Sequence, residues 1–458
     1  MNQNSVIYQE IIDISQKSGP RIYKKITFEF LVDGMLIPVL KLLSKNYVGN
    51  FITGEHSATE TVVFVIGAGT WIYDIFPHAD ILQAVVTESI VNEMTEEEIL
   101  SIPRRTWIYD VILGDESDTQ LANSSEVLGN RDVANDNKQF TLNVQITPVG
   151  IDVLHNQECG GFYHDQEVGN VLYGLCSPNQ SATAAKAPIA REAYLAGRYE
   201  GIVGCDMVPS DNTVPMSVIE VPIGTRTVQL HNVLQDRVGI YSRGMASFIM
   251  NGIRFIFPPY DFTRYERTDG VLTIANIDAL EMAGSNHTFE MRGNNPYIIA
   301  TGDSKVLSTI MAKRVEQGNG KRYVRSRRVM EGFGTTTNGV TKVKTNENVV
   351  EGVIADNRDG KNFIRTDDKV FSDNVFKQSS EEAAKDVSVM LLQWENGNRN
   401  LLYPGMPTRV LHQRDNQVFA IDAVLSGITE STINQSQVPN ESIYQTTVIL
   451  EIQIKNYR

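Results

Sequence analysis

The stretch YQTTVILEIQIK, Tyr444 to Lys455, alternates apolar and polar residues through most of its length. Residues two apart lie on the same face of an extended strand, so this period of two gives the segment one apolar and one polar face. The apolar face carries Val448, Leu450, Ile452 and Ile454, set against Glu451, Gln453 and Lys455. The pattern predicts a half-buried antiparallel strand of a barrel or sandwich.

The same pattern continues upstream. TRVLHQ (Thr408 to Gln413) and VFAIDAVLSG (Val418 to Gly427) are both rich in apolar and β-branched residues. Near the other end of the chain, ITFEFLV (Ile26 to Val32) precedes Asp33-Gly34, a dipeptide that favours a two-residue hairpin turn. The run MLIPVLKLL follows it, and its Pro38 predicts an edge strand or a bulge.

A short motif occurs twice. TVVFVIGAGTWIYDIF, residues 61–76, reads as a buried strand with a glycine break, and TWIYDVIL begins at Thr106, 36 residues after the first TWIYD at Thr70. Two similar strands would hold equivalent places in one sheet, and chance similarity is the alternative.

The centre of the chain mixes both kinds of element. FTLNVQITPVGIDVL, residues 140–154, and MSVIEVPIG, residues 216–224, predict strands, and residues 182–199 are the best helix candidate. In ASFIMNGIRFIFPPY, Asn251-Gly252 predicts a hairpin turn flanked by Phe248 and Phe255 at positions suited to burial.

These patterns predict a mainly β fold of β-barrel or sandwich domains with a few short helices, in a multi-domain α+β chain. The expected domains are an N-terminal tube-like β domain over 1–120, an α+β domain over 139–225 with one helix near 184–199, a central hairpin-containing domain over 226–330, an extended polar loop or arm over 331–386, and a C-terminal β-barrel domain over 387–458.

Composition narrows the functional classes. The chain has 458 residues and a formal net charge of -14, which disfavours non-specific binding to phosphate backbones. Its cysteines, Cys159, Cys176 and Cys205, are odd in number and form no CxxC pair, as expected for a reducing compartment. The N-terminus has no secretory-signal pattern, and the apolar uncharged stretch 61–73 is shorter than the roughly 20 apolar residues of a membrane helix. We therefore expect a soluble protein with no membrane-spanning segment.

Catalytic signatures are weak. Gly67-Ala68-Gly69 begins a dinucleotide fingerprint, but Ile72 stands at its last glycine position and strand-like residues follow it. The sequence contains no GxSxG and no HExxH motif. We expect no enzyme, no catalytic residue and no bound cofactor.

Two stretches keep alternative functions open. HNQECGGFYHDQE offers His155, Glu158, Cys159, His164 and Asp165 as ligands for a metal-dependent hydrolase, although their spacing matches no known zinc site and the glycine pair suggests an exposed turn. The stretch 313–344 carries nine basic residues and two acidic ones, which leaves a local charge of +7. The basic residues are Lys313, Arg314, Lys321, Arg322, Arg325, Arg327, Arg328, Lys342 and Lys344, against Glu316 and Glu331. Such a stretch contacts an acidic partner protein, remains a solvated loop, or binds nucleic acid.

Three segments resemble hub and baseplate proteins from the tails of large tailed bacteriophages. They are NYVGNFITGEHSATETVVFVIGAGTWIYDIFPHADIL (Asn46 to Leu82), HNVLQDRVGIYSRGMASFIMNGIRFIFPPYD (His231 to Asp261) and PGMPTRVLHQRDNQVFAIDAVLSGI (Pro404 to Ile428). Each is a pattern of strands and turns, and the basic stretch 313–344 departs from the family.

The resemblance implies a structural protein of the virion, assembled in the host cytoplasm. It implies a baseplate hub or tube adaptor with two tube-like β-barrel domains per subunit. Three subunits would form a homo-oligomeric ring that continues the tail tube, binds neighbouring tube and baseplate proteins, and lets DNA pass through its lumen. The family has no catalytic residues to carry over.

Overall fold

The computed structural model of the chain describes residues 22–52, 56–92, 104–113, 139–148, 151–177, 204–277, 288–308, 321–326, 335–337, 340–342, 345–346, 349–354, 374–385, 387–414, 417–434 and 443–455. Most of these residues are in strands. The strands are β1 Ile22–Val32, β2 Met35–Pro38, β3 Lys41–Asn50, β4 Thr59–Gly67, β5 Gln83–Asn92, β6 Arg105–Leu113, β7 Gln139–Pro148, β8 Glu158–Tyr163, β9 Gly204–Met207, β10 Ile219–Arg226, β11 Ala246–Met250, β12 Ile253–Phe257, β13 Leu272–Asn276, β14 Phe289–Arg292, β15 Asn295–Ser308, β16 Lys321–Ser326, β17 Thr335–Thr337, β18 Val340–Lys342, β19 Thr345–Asn346, β20 Val349–Ile354, β21 Val387–Glu395, β22 Pro407–Arg414, β23 Gln417–Asn434 and β24 Ile443–Lys455.

The helices of the described residues are short. The α-helices are α1 Ile151–Asn156, α2 Val168–Cys176, α3 Leu230–Arg237 and α4 Val375–Lys385. A π-helix spans Thr70–Ile75, and 3-10 turns span Phe76–Ile81, Thr227–Gln229, Arg264–Glu266 and Arg399–Leu401. The mainly β fold class predicted from the sequence is confirmed.

The strands of one large sheet pair so that they form two closed barrels. In the first, which we name the N-terminal barrel, the order is β23-β3-β4-β7-β6-β5-β1-β24, and β24 pairs back with β23. In the second, the C-terminal barrel, the order is β13-β22-β23-β24-β21-β15, and β15 pairs back with β13. Closure leaves these strands with partners on both sides, which removes exposed sheet edges. Both barrels contain the hairpin β23–β24.

The shared hairpin passes from one barrel to the other because its strands are long. The first part of β23 pairs with β22 up to Val424, and the part from Gly427 pairs with β3. The ladder between β23 and β24 shifts register between Leu425 and Gly427, at the crossing point. A Cβ atom at Gly427 would lie 3.1 Å from the carbonyl oxygen of Gly49, so glycine permits the close approach of β3.

Each barrel has its own apolar core. In the N-terminal barrel the rings of Phe28 and Phe64 stack with centroids 5.5 Å apart, and Phe30 meets Phe64 edge-on. In the C-terminal barrel, Trp394 packs among the inward residues of β23 and β24, and the hairpin β11–β12 adds Phe248 and Phe257 to the same core. A third core lies between α2, α3, β8 and β10.

Both predicted hairpin turns are confirmed. Asp33 and Gly34 have φ values of 49° and 81°, and Asn251 and Gly252 have φ values of 53° and 74°. Positive φ at both central positions is the geometry of the tight hairpin turn. The edge position of β2, expected from Pro38, is also found, because β2 pairs with β1 alone.

The prediction that both TWIYD motifs form strands is wrong. The second copy lies in β6, but the first forms the π-helix, in which the backbone N–H of Phe76 donates to the carbonyl of Trp71. Strand β4 ends at Gly67, and the helix then places Trp71 and Ile75 in the core of the N-terminal barrel. Burial of two large side chains across the barrel end outweighs the strand preference of these residues.

Other predictions differ in part. Strand β7 ends at Pro148, and the IDVL segment that was predicted to continue it begins α1. Strand β7 itself pairs with β4 and β6 in the N-terminal barrel. The stretch predicted as an extended arm contains β17 to β20 and the helix α4, whose Ala383 is buried. The helix predicted over 182–199 lies outside the described residues.

Candidate functional site: an ionic ring at the junction of the barrels

Six charged side chains lie inside the N-terminal barrel, at the end that adjoins the C-terminal barrel. Glu430 is only three residues beyond the crossing point Gly427, and Arg399 enters from the 3-10 turn that follows β21. The six residues, all at most 4% exposed, are Lys24 on β1, Lys45 on β3, Glu60 on β4, Glu88 on β5, Arg399 and Glu430 on β23. We name this set the ionic ring.

Cations and anions alternate around the ring. The Lys24 ammonium lies 2.7 Å from the Glu430 carboxylate and 3.0 Å from that of Glu88. The Lys45 ammonium lies 2.7 Å from Glu88 and 2.8 Å from Glu60. Arg399 closes the cycle, with Nη1 at 3.2 Å from Glu60 and Nε at 3.3 Å from Glu430. Three positive and three negative charges sum to zero.

Neutral side chains contribute further hydrogen bonds and contacts. The Tyr109 hydroxyl donates to Glu60 at 3.1 Å, and the Asn400 amide donates to Glu88 at 3.0 Å. The Arg399 guanidinium lies 3.8 Å above the ring of Tyr47, in cation–π geometry. Buried charges need this degree of compensation, because each has lost its water.

The ring shifts the pKa values of Glu60, Glu88 and Lys45 toward the charged forms. Burial alone would raise the pKa of Glu60, but Arg399 and Lys45 lower it below the ordinary value. Burial acts likewise on Glu88, and Lys24, Lys45 and Arg399 hold its pKa well below the usual range. Burial alone would lower the pKa of Lys45, and Glu60 and Glu88 raise it instead. All three groups are therefore charged at neutral pH.

The sequence analysis did not identify the ionic ring. Its members sit in inward rows that are otherwise apolar: Lys24 precedes Ile26 and Phe28, and Glu60 precedes Val62 and Phe64, at every second position. The sequence does show charged residues at alternating positions where apolar residues are expected. That irregularity was the available sign of a buried charged site. Reading them as partners also requires the sheet order, which brings β1, β3, β4, β5 and β23 around one interior.

The residues that offered an alternative metal site do not converge in the part of the chain that the structure describes. Cys159 donates its thiol proton to the carbonyl of Thr225 at 3.3 Å, whereas Glu158, His164 and Asp165 are exposed. The ring of His155 lies against that of His56, with centroids 5.3 Å apart. In the part of the chain that the structure describes, no three His, Cys, Asp or Glu side chains are grouped to hold a metal ion.

The structure also locates the glycine motif that begins at Gly67 and part of the basic stretch 313–344. Gly67 ends β4, and the π-helix that follows places Trp71 and Ile75 in the barrel core. Of the basic stretch 313–344, Lys321, Arg322 and Arg325 lie on β16, which pairs with β20, and Lys342 ends β18. Within the described ranges, no helix has the length and apolar character needed to cross a bilayer.

Two clusters of exposed apolar side chains mark the outside of the N-terminal barrel. The end patch surrounds the barrel end closed by the π-helix, where His78 lies 3.8 Å from Asp33 of the β1–β2 turn. Its members are Met35, Leu36, Leu40, Tyr73, Phe76 and Ile81, between 39% and 65% exposed. The wall patch lies on the outer face of the shared hairpin and β3, and comprises Val48, Ile433 and Ile449.

Comparison with known proteins gives a consistent class of neighbours. No protein-family model matches the sequence, and no curated protein has a significant match to it. Among solved structures, the chain is similar to a tail protein from Neisseria meningitidis, with a TM-score of 0.41 and 11% identity over 93% of this chain and 96% of that one.

Two further solved structures are similar to the chain. The 43 kDa tail protein of prophage MuSo2 from Shewanella oneidensis has a TM-score of 0.42 and 9% identity, over 93% of this chain and 98% of that chain. A type VI secretion component of E. coli, described as structurally similar to bacteriophage T4 tail proteins, has a TM-score of 0.39 and 10% identity, over 94% of this chain and 77% of that chain. The neighbours thus include the class of protein that the sequence resembles.

Proposed function

We propose that this chain is a non-enzymatic structural subunit of a phage tail, a baseplate hub or tube adaptor that forms a trimeric ring. The ring continues the tail tube toward the host, contacts neighbouring tube and baseplate proteins, and lets DNA pass through its lumen. The observation that carries the proposal is the pair of closed barrels built on one hairpin. Three such chains supply six barrels for one ring.

The junction supports a role under mechanical load. The barrels share two continuous strands, and the ionic ring connects β1, β3, β4, β5 and β23 to the turn that carries Arg399. Moving one barrel relative to the other would separate buried charges, which costs several kcal/mol for each broken pair. Two barrels fixed in this way form one rigid segment of wall.

The exposed apolar clusters support assembly through defined surfaces. In a ring of barrels whose axes follow the ring axis, side walls face neighbouring subunits and barrel ends face the next layer. The wall patch would then lie between copies of the chain, and the end patch against an axial neighbour. Exposed apolar side chains grouped on one surface can mark a protein interface.

The position in the tail can be tested on particles. A short epitope fused after Arg458 and detected with gold-labelled antibody should appear at the end of the tail in electron micrographs. Particles from the untagged phage serve as the control. Label on the capsid, or infectious particles that lack the chain, would contradict the proposal.

A further inference from the structure

A cluster of four basic side chains lies at a second junction, where the β3–β4 connection meets the layer of α-helices. His56 belongs to that connection, His155 lies in the last turn of α1, His231 lies in the first turn of α3, and Arg254 is on β12. The ring of His56 lies 5.3 Å from that of His155 and 6.3 Å from that of His231. Arg254 Nη2 lies 3.4 Å from His231 Nδ1. We name this set the histidine cluster.

Arg254 is a buried cation with neutral partners. It is 2% exposed, and its Nε donates to the Ser247 hydroxyl at 3.0 Å while Nη2 reaches the carbonyl of Val228 at 3.5 Å. None of the carboxylates described by the structure lies within ion-pair distance of it. Arg399, which is equally buried, lies beside three. A buried charge without a counter-ion is costly, and among the described residues no anion completes the histidine cluster.

Burial and the nearby arginine disfavour protonation of two histidines of the cluster. Burial, His155 and Arg254 lower the pKa of His56, and burial, Arg254 and His56 hold the pKa of His231 well below its ordinary value. Cys159 faces the same arginine, with a thiol pKa raised by burial, and adds no negative charge at neutral pH. An anion placed here would pair with the Arg254 guanidinium and would favour the protonated forms of His56 and His231.

We propose that the histidine cluster binds a small oxyanion of the phosphate class. Arg254 supplies the buried positive charge, and the imidazoles of His56 and His155, both partly exposed, lie on the side open to solvent. Arginine and protonated histidine are suited to phosphate oxygens because their N–H groups form charge-assisted hydrogen bonds. The site is separate from the ionic ring, and a tail function is not required for it.

Proton linkage gives the site a pH dependence. A bound anion stabilises the protonated imidazoles, so the affinity should rise as the pH falls. The dissociation constant should change by about tenfold per pH unit for each proton taken up with the ligand.

Titration calorimetry of the full chain with inorganic phosphate, at constant ionic strength and at pH 6 and pH 8, tests the proposal. We expect one saturable site that is weaker at pH 8, and loss of at least about tenfold in affinity in His155→Gln, which removes one charge-assisted bond. His412→Gln, on β22 beside Asn276, is the matched control and should bind normally. Absence of saturable binding, or equal binding by both variants, would overturn the proposal.

The alternative is an anion supplied by the chain itself. Glu55 precedes His56 in the sequence and lies outside the described residues. If its carboxylate completes the cluster, the wild type should not bind phosphate and Glu55→Gln should begin to bind it. That outcome would also overturn the proposal of an external ligand. Phosphate binding by both proteins supports it.

Discussion

The ionic ring differs from a surface ion pair in that water screens little of its charge. Breaking one member leaves its partners charged and buried, and that penalty exceeds the attraction that was lost. Replacing a buried ionic network with apolar side chains of similar volume is often neutral for stability. We therefore expect the ring to favour one arrangement of its five strands and one turn, because a different arrangement would leave buried charges without partners.

The variant Arg399→Gln tests the cost of removing one member of the ionic ring. It leaves three buried carboxylates facing two ammonium groups, so the free energy of unfolding should fall by about 3 to 5 kcal/mol. Arg409→Gln is the matched control, because Arg409 pairs with Asp422 at 2.7 Å on a partly exposed surface and should lose about 1 kcal/mol or less. Urea unfolding of both variants measures the difference. If both variants lost a similar free energy of unfolding, the buried ion pairs of the ring would contribute no more to stability than a partly exposed pair.

The depressed pKa values of Glu60 and Glu88 predict acid sensitivity. Carboxyls in the unfolded chain, with pKa values of about 4.3, bind protons before these two do, so the unfolded state gains protons first. The stability that Glu60 and Glu88 contribute is therefore fully present above the unfolded-state pKa of about 4.3. It is lost as the pH falls through their lower pKa values in the folded state. Stability should decline steadily below about pH 4.

A charge-neutral double variant isolates that effect. Lys45→Met combined with Glu88→Gln removes one cation and one anion, so its acid-side decline should be shallower than that of the wild type. Lys45, with its raised pKa, contributes stability below about pH 10.4 that is lost at higher pH, and the same variant should lack this alkaline loss. If the free energy of unfolding changed with pH in the same way in both proteins from pH 3 to 11, the pH dependence could not be assigned to Lys45 and Glu88.

At the scale of elements, the two TWIYD copies form different structures from nearly the same letters. The copy in β6 has neighbours β5 and β7 on either side, whereas the copy after Gly67 lies beyond the end of the sheet and covers its core. The five shared letters have the same local preference in both copies, but their flanks and tertiary positions differ, since Gly67 and Gly69 precede only the first copy. The hairpin turns were predictable because Asp-Gly and Asn-Gly determine their own geometry. The π-helix was not predicted, because the shared letters favour a strand in both copies.

The central hairpin gives an element-scale prediction. Phe248 and Phe255 are paired across β11 and β12, yet Phe248 is fully buried and Phe255 is half-buried, stacked on Tyr403 at 5.7 Å. Phe248→Ala should therefore lower the free energy of unfolding by about 3 to 5 kcal/mol, and Phe255→Ala by less. Thermal unfolding of the two variants compares them. A larger loss from Phe255→Ala would contradict the packing described for this hairpin.

At the scale of the whole molecule, the shared hairpin could not be predicted from periodicity. The sequence indicates that residues 418–427 and 444–455 are strands, but each strand serves two barrels, and that depends on which partners it meets along its length. The ionic ring was missed for the same reason, since its members are far apart in sequence. Long-range pairing determined both.

Ring formation is the central claim, and mass measurement of the full chain over a range of concentrations tests it most directly. We expect a trimer by light scattering, with a closed ring in electron micrographs. The wall-patch variant Ile433→Ser/Ile449→Ser should shift it toward monomer, whereas the end-patch variant Met35→Ser/Leu36→Ser should leave the trimer intact. A wild-type chain that is monomeric at every concentration, and stays so with neighbouring tail proteins present, would contradict the account.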